Sequence, residues 1–162
     1  MYSAGILPYT IFMNNLYFLI GQENSDKTWS DFGGHSKDKD NNNSQKTAFR
    51  EFMEETLNSI PLSYSKFEVS TKTLIVSKTM RSNKYYMYLY NIDSKYIDLK
   101  RFNYAFKISD SYCEKSQIMW VSERDLFNSL DNCNKFKLRS VFKTTLANNL
   151  HVFKCVRSLN EI

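Results

Sequence analysis

The sequence predicts an α/β (α+β) fold: an α/β/α sandwich in which a mixed β-sheet lies between helices. Three observations predict it. Apolar, β-favouring runs open the chain at residues 4–9 and 16–21. A single helical segment, residues 45–57, then interrupts the strands, which resume at 67–78 and 84–92. A stretch of helical spacing closes the chain, through Leu138, Val141, Phe142, Leu146, Leu150 and Phe153. At 162 residues, 42% hydrophobic and 15% aromatic, the chain is long and apolar enough for one core. No linker or internal repeat divides it, so residues 1–162 are expected to form a single domain.

In chain order, the first two runs are separated by Asn14-Asn15, a turn signal that makes them a hairpin. Residues 29–33 are short and aromatic, and Gly33-Gly34 ends that strand. Residues 35–46 are polar, with Asn41-Asn42-Asn43 in their middle, and read as a loop, of which residues 35–43 are either a substrate lid or a tolerated insertion. Ser44 is the expected N-cap of the helix 45–57. Asn58 suits the left-handed backbone that ends a helix, and Pro61 prevents continuation. Residues 67–78 and 84–92 read as strands joined around Arg81-Ser82-Asn83, the second carrying Tyr85, Tyr86, Tyr88 and Tyr90. Residues 95–110 fit neither period. Residues 117–122 read as a strand, 123–130 as a short helix, and 137–156 as a C-terminal helix packed on the sheet.

Composition excludes some classes. No apolar run approaches the ~20 residues that span a bilayer, and the chain does not open on a secretory signal pattern. A soluble, intracellular, cytoplasmic protein without a membrane partner is expected. Cys113, Cys133 and Cys155 are odd in number and lack C-x-x-C spacing, which favours reduced thiols buried as small residues over disulfides or zinc. The net charge of +5 biases the surface toward polyanions such as nucleotides, RNA or inositol phosphates, although plain solubility explains it as well.

The chemistry concentrates in Arg50-Glu51-Phe52-Met53-Glu54-Glu55-Thr56. At about 100° per residue, Glu51, Glu54 and Glu55 share one stripe, and Phe49, Phe52 and Met53 lie on the opposite one. Like charges at i, i+3 and i+4 repel. Arg50 can pair with Glu54 but cannot satisfy all three, so a hard divalent cation held by oxygen ligands is the natural remedy. A solvated acidic helix face is the bland alternative. Against it stands the absence of any interleaved lysine between Arg50 and Leu57.

These residues resemble the signature of the Nudix hydrolases: glycine, five residues, glutamate, seven residues, then Arg-Glu-apolar-any-Glu-Glu-any-Gly-apolar. Arg50, Glu51, Phe52, Glu54 and Glu55 match its second half. The first half departs from it. The loop from Gly34 to Arg50 is two residues longer than usual, the upstream glutamate is replaced by Asp40 or Asn42, and Leu57 stands at the glycine. The resemblance extends over most of the chain, Asp110 to Leu126 resembling the usual tail, and implies the Nudix α/β/α sandwich. Residues 19–23 and 29–34 are similar to Nudix proteins of large DNA viruses, some of them similar to diphosphoinositol polyphosphate hydrolases and some to mRNA-decapping enzymes.

The resemblance implies hydrolysis of a diphosphate linkage with Mg²⁺ or Mn²⁺. Glu54 and Glu55 would be metal ligands, Glu51 a third ligand or general base, and the Gly34 carbonyl an extra ligand. Arg50 would orient a carboxylate by a charge-assisted hydrogen bond. Glu114 is a second candidate base, with a surface glutamate as the alternative. Lys37, Lys39 and Lys46 would flank the metal site and could meet phosphates, as could Arg81 and Lys84 at a strand tip, a solvated surface charge being the alternative for each. Tyr85, Tyr86 and Tyr88 could stack on a base, whereas a half-buried strand would place alternate tyrosines in the core. His35 reads as a loop residue without a catalytic task. The expected partner is a small-molecule polyphosphate or nucleotide, with capped RNA also open and the oligomeric state undetermined. Two other classes remain: a Nudix-fold nucleotide- or RNA-binding module with weakened catalysis, and a basic RNA-binding domain without chemistry.

Overall fold

The computed structural model describes residues 1–131 and 136–160. Its centre is a seven-stranded mixed sheet. Strands β1 (Ser3–Phe12) and β2 (Asn15–Glu23) form the expected hairpin. Its turn is Met13-Asn14, one residue earlier than the sequence suggested, with φ of 49° and 60°. Positive φ at both central residues lets a two-residue turn follow the right-handed twist of its strands.

The strand expected at 29–33 is two strands, β3 (Trp29–Ser30) and β4 (Phe32–His35). β3 pairs with β2, and β4 pairs with β1, so Asp31 is where the chain changes partner. Helices α1 (Ser44–Glu55) and α2 (Tyr64–Val69) follow, then β5 (Thr73–Lys78) and β6 (Lys84–Asn91). Residues 67–78, expected to be all strand, begin as the end of α2, where Phe67 is buried. The ambiguous 95–110 holds a 3-10 turn and α3 (Lys100–Ile108), whose Phe102 is buried. Strand β7 (Lys115–Ser122) and α4 (Glu123–Asn128) come next. The long C-terminal helix is two, α5 (Ser140–Asn148) and α6 (Leu150–Leu159). They break at Asn149, whose side-chain amide donates to the Thr145 carbonyl at 2.8 Å.

Strand β1 organises the sheet. On one edge it runs parallel to β6. On the other it pairs with β4 through residues 3–6, then with β2 through residues 9–12. β2 in turn pairs with β7. Two wings therefore diverge, β4 on one and β2 with β7 on the other. Helix α1 packs on β1 and β4. Ala4, Ile6, Leu19, Phe32, Ala48, Phe52, Phe67 and Phe102 form the core on that face of the sheet. Leu7, Phe18, Ile20, Met87, Phe142, Leu146 and Phe153 form the core on the other face, beneath α5 and α6. The expected sandwich is thus present.

Cys113 is buried, as read from sequence; Cys155 is exposed, since Phe153 and Val156 carry the core face of α6. Cys133 lies outside the described residues. No helix among the described residues is long and apolar enough to cross a membrane.

Candidate active site

Helix α1 is capped by Asn43 rather than Ser44: the Asn43 side chain accepts from the amides of Gln45 and Lys46. The Ser44 hydroxyl is hydrogen-bonded to the Tyr88 hydroxyl at 2.7 Å instead. The helix ends in a Schellman arrangement. Asn58 N–H donates to the Met53 carbonyl at 2.9 Å, and Leu57 N–H to the Glu54 carbonyl at 3.2 Å. Leu57 and Asn58 both take left-handed backbone, with φ of 55° and 53°. The left-handed residue has not moved to Asn58 alone; Leu57 itself adopts the conformation for which glycine is best suited.

The carboxylates do not stand opposite the apolar face. The buried face of α1 runs through Thr47, Ala48, Glu51, Phe52 and Glu55, while Phe49 and Met53 are half-buried. Glu54, 46% exposed, is the one carboxylate of the three that points to solvent. The cause is β4. A Cβ on Gly34 would lie 2.6 Å from Glu51 Oε2, so the missing side chain admits the Glu51 carboxylate against the strand.

Arg50 is the hub, and all five of its guanidinium N–H bonds are used. Nε donates to Asp40 Oδ1 at 3.0 Å and Nη2 to Asp40 Oδ2 at 2.9 Å, a bidentate pair. Nη2 also donates to the His35 carbonyl at 2.9 Å. Nη1 donates to Glu51 Oε1 and, at 3.2 Å, to Glu54 Oε2. Asp40, buried in the loop, also accepts from the Lys37 amide and the Thr47 hydroxyl, each at 2.9 Å. Of the two residues offered for the missing upstream glutamate, Asp40 therefore carries the contact to Arg50. The Arg50 hydrogen bonds hold the Asp40 carboxyl far below the usual carboxylate range. Burial pushes Glu51 up, against the lowering contact with Arg50. Lys37 and Lys39 approach Glu54 at 3.5 and 3.6 Å.

Glu55, on the same buried face of α1 as Glu51, lies beside Lys115 rather than Arg50. It is 4% exposed, and among the described residues Oε2 has no hydrogen-bond partner. Burial pushes its carboxyl well up; nearby Lys115 opposes this, while Glu23, Glu114 and Glu51 reinforce it. A cavity of about 510 Å³ opens beside Glu55, bounded by Glu23, Asp31, Gly34 and Glu114 and by Arg81, Asn83, Arg139 and Ser140. Glu114 is exposed at its edge.

The remaining residues expected from sequence divide. Arg81 borders the cavity. Lys84 pairs across the hairpin with Lys78 and is exposed outside the cavity wall, which removes it from phosphate contact there. Tyr85 is 8% exposed, with its hydroxyl on the Asp31 carboxyl, so it walls the cavity as a packed side chain and offers no free face to a base. Tyr86 and Tyr88 lie on the opposite face of the sheet, in the α1-side core. His35, whose ring bonds the Ser3 hydroxyl at 2.9 Å, serves Arg50 through its carbonyl and borders the cavity.

Sequence reasoning missed Lys115, Glu23, Asp31 and Arg139. Lys115 is 1% exposed and donates to Glu23 Oε1 at 2.6 Å, the Ser30 hydroxyl at 2.8 Å and the Asp31 carbonyl at 3.1 Å. Its Nζ lies 3.7 Å from Glu55 Oε1. Arg139 reaches Glu23 Oε1 at 3.3 Å. Burial pushes the Asp31 carboxyl up to about 6, against the lowering Tyr85 hydrogen bond and the field of Lys115. Gly21, a glycine inside an apolar strand, was the available signal: a Cβ there would meet the Lys115 stem at 2.9 Å.

The donor set suits a hard divalent cation: oxygen atoms only, three carboxylates on one helix, and one buried carboxylate oxygen left unpartnered. The set is not closed. Glu51 and Glu54 are turned onto Arg50, and among the described residues no three His, Cys, Asp or Glu side chains converge as a ready metal site.

The architecture is that of the Nudix fold. The Nudix domain of Shewanella oneidensis NrtR, solved with ADP ribose, superposes with a TM-score of 0.57 at 12% identity, covering 98% of this chain and 86% of that one. A Caenorhabditis elegans Ap4A hydrolase in a binary complex gives a TM-score of 0.54 at 15% identity, covering 94% and 98%. A Nudix hydrolase from Alicyclobacillus acidocaldarius gives 0.56 at 10% identity, covering 90% and 88%. At these identities the likeness is one of fold. No family model and no curated protein matches the sequence.

Proposed function

We propose that this chain is a single Nudix domain that hydrolyses a diphosphate linkage in a nucleotide-type or polyphosphate substrate, using Mg²⁺ or Mn²⁺. The observation that carries the reading is the buried Glu55 Oε2, without a partner among the described residues, beside a cavity lined by carboxylates together with Arg81 and Arg139. Glu51, Glu54 and Glu55, with the Gly34 carbonyl, are the residues that would hold the cation. When bound there, such an ion neutralises phosphate oxygens and acidifies water.

The protein's own groups do the rest. Arg50 holds Glu51 and Glu54 at one side of the site while Asp40 fixes Arg50. Glu51, with its carboxyl raised by burial, would act either as a third ligand or as the general base that takes a proton from water; Glu114, at the edge of the cavity, is the second candidate base. Arg81 and Arg139, which line the same cavity, would bind the phosphates. Lys37 and Lys39 are tied to Glu54 and reach a phosphate only by leaving it. The ADP ribose and Ap4A named for two similar structures support a nucleotide diphosphate or polyphosphate as ligand class. Within that class the basic net charge favours an mRNA cap or a diphosphoinositol polyphosphate. The reading places the protein in the cytoplasm.

The test is product release with Mg²⁺ and with Mn²⁺, comparing the wild type with Glu54→Gln. Capped RNA, a diphosphoinositol polyphosphate, a dinucleoside polyphosphate and ADP ribose run in parallel. Metal-dependent turnover that collapses in the variant is the expected result, and the fastest substrate names the class. One observation favours a second reading, a binding module: Glu51 and Glu54 are already satisfied by Arg50. That reading expects no turnover in the wild type and ligand affinity unchanged by Glu54→Gln.

A further inference from the structure

Lys115 is a buried cation that the reaction outlined above does not use. Removing an ammonium from water costs several kcal/mol unless anions and hydrogen bonds replace the solvent. Here they do. Each of the three ammonium protons has one acceptor, at Glu23, Ser30 and the Asp31 carbonyl. The stem runs through space left by Gly21, and Nζ sits 5.7 Å from the centre of the Phe32 ring. The ammonium is thus fixed in position.

Its relation to Glu55 differs from its relation to Glu23. It donates to Glu23 but stands 3.7 Å from Glu55 Oε1, and Glu55 Oε2 stays unpartnered. The lysine therefore offsets the Glu55 charge without occupying its free lone pairs. Around it lie the carboxylates of Glu23, Asp31 and Glu55, with Glu114 at the cavity edge and Arg139 as the second cation. Without Lys115, Glu55 would lose its nearby cation and Glu23 would keep only Arg139 and the Ser30 hydroxyl, leaving two carboxylates at the cavity, an attractive position for a hard cation.

We propose that the Lys115 ammonium is a built-in cation of this site: it takes, between Glu23 and Glu55, the place of an additional divalent ion. It leaves Glu55 Oε2 free to serve the ion held with Glu51 and Glu54. The proposal rests on the reading of Glu55 as a metal ligand. Lys115 acts here as a positioning residue, through Glu55.

The experiment is a Mn²⁺ titration of the purified full chain, with free Mn²⁺ read by electron paramagnetic resonance and binding by calorimetry. Lys115→Met keeps the stem and removes the charge; it is expected to bind one more Mn²⁺ per chain than the wild type. Glu23→Gln keeps the lysine but removes its carboxylate partner, so the ammonium turns to Glu55 and Mn²⁺ affinity is expected to fall about tenfold or more. These opposite directions separate the proposal from a buried ion pair that merely stabilises the fold, which lowers Tm and leaves the Mn²⁺ count alone. An unchanged count and affinity in folded Lys115→Met overturns the proposal while leaving the metal site standing. Should that variant not fold, an unchanged affinity in Glu23→Gln overturns it equally. A folded wild type that binds no Mn²⁺ removes the metal-site reading, and this proposal with it.

Discussion

Two buried aspartates of this site respond to pH in opposite directions. Asp40 is held ionised by the Arg50 fork, with its folded pKa far below the 3.8 of an ordinary aspartate. Its contribution to stability is therefore complete above about 3.8 and is lost as pH falls below that value. Asp31 is the reverse. Its folded pKa is raised to about 6 from 3.8, so the folded state binds the proton more tightly than the unfolded one. Stability falls by about 3 kcal/mol as pH rises through that interval and levels off above it. Urea unfolding across pH checks both. Asp40→Asn is expected to cost about 3 kcal/mol at neutral pH, with the gap to the wild type closing in acid. Asp31→Asn, which keeps an acceptor for the Tyr85 hydroxyl, is expected to gain on the wild type between pH 4 and 7. A gap that stays constant with pH in either variant would show that the carboxylate is not the group responsible.

At the scale of elements, both ends of α1 make predictions. Asn43→Ala is expected to cost about 1 kcal/mol, the ordinary value of a lost N-cap, by chemical denaturation. A Ser44→Ala change that costs more would reinstate the cap read from sequence. At the other end, Leu57 pays for left-handed backbone and recovers part of it by packing against the α1-side core. Leu57→Gly exchanges one term for the other. Leu57→Val adds β-branched strain at positive φ without keeping the full contact. The Val variant is therefore expected to melt at least about 3 °C below the Gly variant; the opposite order would mean that packing decides this turn. The same elements show why the sequence was readable in part. The helix, the hairpin and the sandwich follow from local periodicity and turn chemistry. The Arg-Glu-x-x-Glu-Glu run marked α1 because its residues are adjacent in sequence. Lys115 and Glu23 meet from β7 and β2, 92 residues apart, with only Gly21 as a local trace. The burial of Glu51 was not legible either, since it depends on a missing Cβ at Gly34 on the neighbouring strand. The split of the expected C-terminal helix at Asn149 likewise leaves the apolar spacing intact on both sides.

At the scale of the whole molecule, a net charge of +5 coexists with a cavity rich in carboxylates. A polyanion approaching such a protein is attracted by the basic surface but repelled by the acidic wall, unless cations at the mouth intervene. Arg81 and Arg139 line the cavity, and Lys84 lies outside its lining. If the field is focused by these arginines, kcat/KM for a polyphosphate substrate should fall steeply as salt rises from about 0.01 M to about 1 M, over which the screening length shrinks about tenfold. Arg81→Ala should then raise KM about tenfold or more, the worth of a charged hydrogen bond to phosphate, with kcat nearly unchanged. Lys84→Ala removes the same formal charge from the surface near the same hairpin and should leave KM where it was. Equal increases in the two variants would make the attraction a property of net charge alone. A KM insensitive to both substitutions and to salt would return the +5 to plain solubility and leave the carboxylates of the cavity to be offset by Lys115 and the proposed cation. Because the two substitutions change net charge identically, only their difference reports on how the cavity directs its ligand.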